Sequence, residues 1–273
     1  MSSPQSDLEL LESKIKEIDE KIIKAENSVE ETDLTHFNFE KAKLYKEHKQ
    51  KTQAITEFKK VIEKSQSFNL KMDSVFEILH IGIFDKDLDL LKENIDLCKK
   101  FLKDGGDWEK RNRLKVYEGL YCVLLRNFKE SGKLFLEALM TFTNYELFDY
   151  KTFVFYTAIC NVITVDRVTL KNRVIDNSDV VSCIREIPNL QNFLESFYNG
   201  NYKTFFNELY PIIQRIKNDF FLQKHTNYFI REMRIKVYSQ FLQSYKSVTM
   251  QNMGECFGVS SEFIDRYDMF NLI

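Results

Sequence analysis

The side chains best suited to bond-making in this 273-residue chain are its four histidines and five cysteines. Their spacing argues against catalysis and against metal binding. His36, His48, His80 and His225 pair with no histidine, cysteine or carboxylate in a recognised ligand pattern, so each reads as a surface or partly buried histidine. Cys98, Cys122, Cys160, Cys183 and Cys256 form no CxxC pair, and an odd count without a framework fits free buried thiols in a reducing compartment. Cys122 and Cys160 fall within apolar stripes and read as core thiols. Gly105–Gly106 could open a phosphate cradle, but no GK[ST] continuation follows, and a turn between helices explains the pair better. HExxH, GxGxxG and GxSxG sequences are absent. The expectation is a protein that is not an enzyme and uses no cofactor and no metal.

Nucleic-acid chemistry fares no better. The net charge is −2, which gives a polyanion no bulk attraction. The stretch Val248–Phe270 reads as a short helix, a tight turn and a second helix, a helix-turn-helix of the winged-helix kind. Thr249 is its N-cap, Gly258 supplies the left-handed residue that ends the first helix, and Ser260 or Ser261 caps the second. Met253, Phe257, Val259, Phe263 and Ile264 would form its shared core. The second helix carries Glu262, Asp265 and Asp268 against Arg266, so a major groove would meet carboxylates where cations are required. Such a face suits a protein partner. A second cluster, Glu109, Lys110, Arg111, Arg113 and Lys115, admits two readings. It is either a solvated first turn with pairs such as Glu109–Arg113, or a subunit interface resting on Arg111 and Arg113.

The elements that carry these residues are helices. Eight Gly and three Pro are too few for the turns of a sheet protein, while 44% apolar and 29% charged residues suit a globular chain. Leu114, Tyr117, Leu120, Tyr121, Leu124 and Leu125 give one broad apolar face. After a turn at Arg126–Asn127 come Phe128, Ser131, Phe135, Ala138 and Leu139, small residues alternating with aromatics as in tetratricopeptide-type hairpins. Ala54 and Phe58 repeat that step, and Tyr202, Phe205, Leu209 and Ile212 echo it. Further helices are expected near 70–84, 87–103, 147–163, 167–175, 178–186 and 190–199, with a long one from Leu222 to Tyr245. A heptad-like stripe, Leu8, Leu11, Ile15, Ile18, Ile22, Ala25 and Val29, predicts an amino-terminal helix that packs on its own domain or binds a partner. The division expected is an amphipathic helix over 1–33, tetratricopeptide-like repeats over 34–126, and a third domain over 127–273 whose helical part runs to 246. No apolar run approaches the ~20 residues that span a bilayer, and Met1–Asp7 lacks a signal core, so an intracellular soluble chain without a membrane partner is expected.

Three longer stretches carry a resemblance. DWEKRNRLKVYEGLY, TFTNYELFDYKTFVFYT and DRVTLKNRVID are similar to the PCI-domain non-ATPase subunits of the 26S proteasome regulatory-particle lid, as is the stretch Tyr228–Arg266. The resemblance implies an all-α helical-hairpin solenoid ending in a winged-helix PCI module. It implies a non-catalytic scaffold in a hetero-oligomer, with other lid PCI subunits and the regulatory-particle ATPases as partners, in cytoplasm and nucleus. The paralogous signalosome subunit is the alternative that resemblance leaves. The match stops after Asp265–Arg266, where YDMFNLI stands in place of a wing and a terminal helix. A chain of that form is expected to dock weakly or not at all into a lid.

Overall fold

The computed structural model describes residues 13–24, 31–105 and 107–260, together with Glu262 and Ile264. Every regular element among them is helical. The chain divides into two compact units, Met1–Trp108 and Glu109–Ile273. In the first, α1 is described over 13–24, followed by α2 (Glu31–Glu47), α3 (Lys51–Lys64), α4 (Phe68–Asp85) and α5 (Leu88–Asp104). In the second come α6 (Trp108–Leu124, which opens on the last residue of the first unit), α7 (Phe128–Ala138), α8 (Tyr150–Thr164), α9 (Arg167–Leu170) and α10 (Ser178–Glu186). They are followed by α11 (Leu190–Asn199), α12 (Tyr202–Asn218), α13 (Thr226–Leu242) and α14 (Met250–Phe257).

One turn design recurs through both units. A residue in the left-handed region ends a helix, and the next residue opens the following one: Lys49–Gln50, Lys86–Asp87, Arg126–Asn127 and Gly200–Asn201. At Arg126–Asn127, the two N–H groups return to Val123 O at 2.9 Å and Cys122 O at 2.8 Å, satisfying carbonyls the helix end leaves orphaned. The other three turns repeat this pattern. Asp87, Asn127 and Asn201 then accept from the N–H three residues on, and so does Asp166 ahead of α9. These openings fall roughly every 35–40 residues, the length of one helical hairpin.

The core follows the same register. Counted four, eight and eleven residues past each opening, the buried side chains are Ala54, Phe58 and Val61; Leu91, Ile95 and Cys98; Ser131, Phe135 and Ala138; and Phe205, Leu209 and Ile212. Past Asp166 the first two positions, Leu170 and Val174, are buried as well. There a π turn over Lys171–Ile175 replaces regular helix, so the single helix expected over 167–175 is instead one short helix and that turn. The small residues are small for a reason: a β-carbon on Gly119 would stand 2.3 Å from Phe135 Cε1, and one on Gly132 would stand 2.9 Å from Asn161 Oδ1.

Several expectations need adjustment. In α6 the buried face includes Val116, Gly119, Cys122 and Val123 beside Leu114, Tyr117 and Leu120, while Tyr121 and Leu124 are half-buried and Leu125 is exposed. The helix is covered on more than one side, so its apolar stripe is wider than and rotated from the one its large residues suggest. The helix expected from Leu222 begins at Thr226, because Gln223–His225 tightens into a 3-10 turn. In α1, Ile18 is buried, Ile15 and Ile22 are half-buried, and Asp19 accepts from Lys41 of α2 at 2.6 Å, so this part packs on its own unit. Leu8, Leu11, Ala25 and Val29 lie outside the described residues.

Candidate functional site

Several of the groups suited to chemistry are engaged in holding helices. Cys160 is fully buried, its thiol 3.7 Å from Ser131 Oγ, and burial pushes it up to about 12, far from a reactive thiolate. Cys98, Cys122 and Cys183 are buried too, but Cys256 is exposed, against the expectation of buried thiols throughout. It lies on the outer side of α14, where the helix turns its polar residues away from the core. His36 is exposed beside Glu40, His48 and His80 are half-buried, and His225 is buried. No group of three metal-capable side chains occurs among the described residues. Burial lowers Lys236 to about 8, and its amine donates to Val162 O at 2.7 Å and to Val165 O, closing the carboxyl end of α8. Tyr156, whose hydroxyl donates to Asp219 at 2.7 Å, is pushed up by burial and then by that carboxylate.

The two arginines singled out in the sequence occupy different settings. Arg111 is exposed on α6. Arg113 donates from Nε to Glu146 Oε1 at 2.9 Å rather than to Glu109, and Tyr117 Oη donates to the same oxygen at 3.2 Å. Asn144 Nδ2 closes the bracket on the Arg113 carbonyl at 3.1 Å. Burial works against the Arg113 charge, but Tyr117 and Glu146 raise its pKa overall. The group thus ties the loop between α7 and α8 to α6. The sequence shows no signal for that tie, because Glu146 lies in a loop without periodicity.

The carboxy-terminal module is held by one ring. Thr249 Oγ1 accepts from Asn252 N at 3.2 Å, and Gly258 ends α14 at φ 70, its N–H and that of Val259 returning to Glu255 O and Gly254 O. Met253, Phe257 and Ile264 are buried, Val259 is half-buried, and Phe263 lies outside the described residues. Phe257 does not face a small core of its own. Its ring stacks on Tyr238 of α13 at 5.1 Å and meets Phe241 at 5.0 Å, Tyr202 of α12 at 5.2 Å and Phe206 at 5.4 Å. The surface left outward is polar: Gln251, Asn252, Glu255, Cys256, Ser260 and Glu262. Tyr202 and Phe206, and Tyr238 and Phe241, each recur at helical spacing, but nothing in the sequence pairs them with Phe257.

The module is thus docked by a buried aromatic and turns a polar face outward. The family profile described as 26S proteasome subunit RPN7 matches residues 7–173. The chain belongs to the RPN7 family. A second profile, described as PCI domain, matches residues 210–268 of this RPN7-family chain and so takes in the second half of α12, with α13 and α14. It is 46% identical over 255 residues to the 26S proteasome non-ATPase regulatory subunit 6 of Oryza sativa subsp. japonica, covering 93% of this chain and 66% of that protein. It is 36% identical over 259 residues to the 26S proteasome regulatory subunit RPN7 of Saccharomyces cerevisiae, covering 93% and 60%. The COP9 signalosome complex subunit 1 of Arabidopsis thaliana is far less similar, 22% over 156 residues, covering 56% of this chain and 35% of that one. The chain thus spans about two thirds of the length of the first of these relatives.

Proposed function

We propose that this chain is a non-catalytic structural subunit of the proteasome regulatory-particle lid, serving ubiquitin-dependent proteolysis by scaffolding rather than by chemistry. The observation that carries the reading is the family match over 7–173 combined with 46% identity to a named proteasome regulatory subunit. We take the module after Thr249 to be the helical part of a winged helix that meets other PCI subunits, with Arg111 as a second point of contact. On this reading the chain works in cytoplasm and nucleus as part of a hetero-oligomer that includes the regulatory-particle ATPases, without nucleic acid or membrane.

The signalosome is the second reading, favoured only by the 22% match to its subunit 1. A tagged pull-down of this chain from its own cells, with mass spectrometry of what co-purifies, separates the two. Recovery of lid subunits supports the proposal. Recovery of signalosome subunits instead, or of the chain alone beside a normally assembled lid, refutes it.

A further inference from the structure

The turn between α6 and α7 places a cation on an aromatic cluster. Its left-handed residue is Arg126, at φ 62, as Lys49 and Lys86 are at the turns ahead of α3 and α5, while the turn ahead of α12 uses Gly200. The Arg126 side chain is exposed, and its guanidinium carbon lies 5.4 Å from the ring centre of Tyr228. Arg126 Nε donates to Nδ1 of the buried His225 at 3.4 Å. Phe128 stacks on Tyr228 at 5.6 Å and meets His225 edge-on at 5.4 Å, which fixes the tyrosine ring from within. Arg231 lies at the same 5.4 Å from that ring, and both its Nε and Nη2 donate to one oxygen of Glu232, at 3.2 and 2.8 Å. Exposed Lys224 adds a third positive charge nearby in the chain. Glu232 answers one of these charges, and Arg126 forms no ion pair among the described residues.

We propose that Arg126 and Arg231, held on the ring of Tyr228, form a docking site for an acidic segment of a partner protein. The charge sets the class of partner: Arg126 and Arg231 on one ring, with Glu232 answering only Arg231, leave a positive charge that attracts an anion. The fork of a guanidinium matches a carboxylate in two parallel hydrogen bonds, which an ammonium cannot do. Stacking has already restricted both side chains, so less freedom is lost on binding. Carboxylates one helical turn apart, about 5–6 Å, have the spacing to meet two heads on one ring. Nucleic acid is the poorer fit, because a phosphate track needs a longer basic stripe and this patch is interrupted by Glu232. The site is separate from the Phe257 module and does not depend on the lid assignment.

The test uses the full chain and fluorescein-labelled hexaglutamate as probe, with binding read by fluorescence anisotropy at low salt. Hexaglutamate is expected to bind, to weaken as salt is added, and to weaken about tenfold or more in the double variant Arg126→Gln/Arg231→Gln. The Arg126→Lys/Arg231→Lys variant keeps the charge without the fork and should fall between the two. A control that loses the same charge elsewhere, Lys59→Gln/Lys151→Gln, should bind as the unaltered chain does. Both arginines are exposed, but Arg126 donates to the buried His225, so melting by circular dichroism should fall slightly in variants that lose that bond and each variant should remain folded at the assay temperature. The proposal fails if hexaglutamate does not bind or if the lysine control loses as much affinity as the arginine variant. It also fails if duplex DNA displaces the probe through the same two arginines as readily as unlabelled hexaglutamate does.

Discussion

The two units fasten their helices differently. In Met1–Trp108, lysines reach from one helix to carboxylates on another: Lys41 to Asp19, Lys46 to Glu77, Lys51 to Asp85 and Lys59 to Glu93. Beneath them the core is largely aliphatic, with Val75, Ile78, Leu79, Ile83, Leu91 and Ile95 buried. In Glu109–Ile273 two such pairs recur, Lys115 to Glu137 and Lys151 to Glu186, but rings and close approaches predominate. Phe153 meets Phe135 at 5.3 Å and Phe142 at 4.6 Å, Gly119 admits Phe135, and Phe257 fills a socket of four rings. The first arrangement spreads its stability over many small terms. The second concentrates it in a few residues, so single substitutions should separate the units sharply.

The largest effect is expected at Phe257. Truncation to Ala removes the ring on which Tyr202, Phe206, Tyr238 and Phe241 converge, a change that costs about 3–5 kcal/mol in a packed core. The loss should be local, because the exposed residues Leu242–Ser247 separate α14 from α13. Limited trypsin digestion should then cut at Lys246 much faster in Phe257→Ala than in the unaltered chain, while the first unit stays protected. Equal cutting rates would show that the ring is not what holds the module.

Gly119→Ala comes next. The added carbon meets a ring in a packed core, and overpacking of that kind costs about 1–3 kcal/mol. The thermal midpoint of the second unit should fall, and Phe135→Leu in the same chain should restore part of it. A like substitution in the first unit, Gly82→Ala, meets Leu91 at 3.1 and 3.2 Å and Leu90 at 3.5 Å, looser than the 2.3 Å at Gly119, and its effect should be smaller. If the two glycine variants melt alike, the contrast between the units is wrong at this point.

These same residues show what the sequence could and could not disclose. The small-then-aromatic step at Ala54–Phe58 and Ser131–Phe135 was legible, because helical periodicity and residue size are local properties. The hairpins opening at Asp87 and Asp166 follow the same register but carry Leu91–Ile95 and Leu170–Val174, which lack the size contrast. Only the spacing of the turn residues reveals them. Thr249 and Gly258 were legible as a cap and a left-handed stop, since those roles depend on one residue each. The Arg113–Glu146 bracket and the Phe257 socket were not, because both join elements far apart in the chain. Nothing in a stripe of apolar residues says which helix will cover it.

Lys236 gives a smaller, pH-dependent contrast. Its folded-state pKa of about 8 lies below the ordinary lysine value of 10.5, with burial as the leading cause. Between those two values the unfolded chain binds more protons at this site than the folded one. The site's contribution to stability therefore rises with pH across that window and is flat below it. Cys160 opposes this above its ordinary thiol range, because its raised pKa makes the folded state hold a proton longer. The clean measurement is the difference between the unaltered chain and Lys236→Met. That difference should shift in favour of the unaltered chain from pH 8 to 10, and no change across the window would contradict the assignment.

The smallest expected effect belongs to the lysine pairs of the first unit. Lys46 and Glu77 are each about a fifth exposed on their side chains, so their pair is the most sheltered of the four. Even so, measured pairs of this kind contribute about 0–1 kcal/mol, because desolvation and lost side-chain freedom offset most of the attraction. Lys59 and Glu93, at 3.6 Å and largely exposed, should contribute less than that. Lys46→Gln should therefore lower the midpoint of the first unit slightly, and Lys59→Gln should leave it where it was. Salt distinguishes this from a packing effect. Raising ionic strength to about 1 M shortens the screening length to about 3 Å, so the Lys46→Gln penalty should shrink while the Gly119→Ala penalty persists. A Lys46→Gln penalty that survives high salt would mean the lysine stem, packed along α2 and α4, contributes more than its charge. The first unit would then be fastened by packing as the second is, and the distinction between them would be one of side-chain size alone.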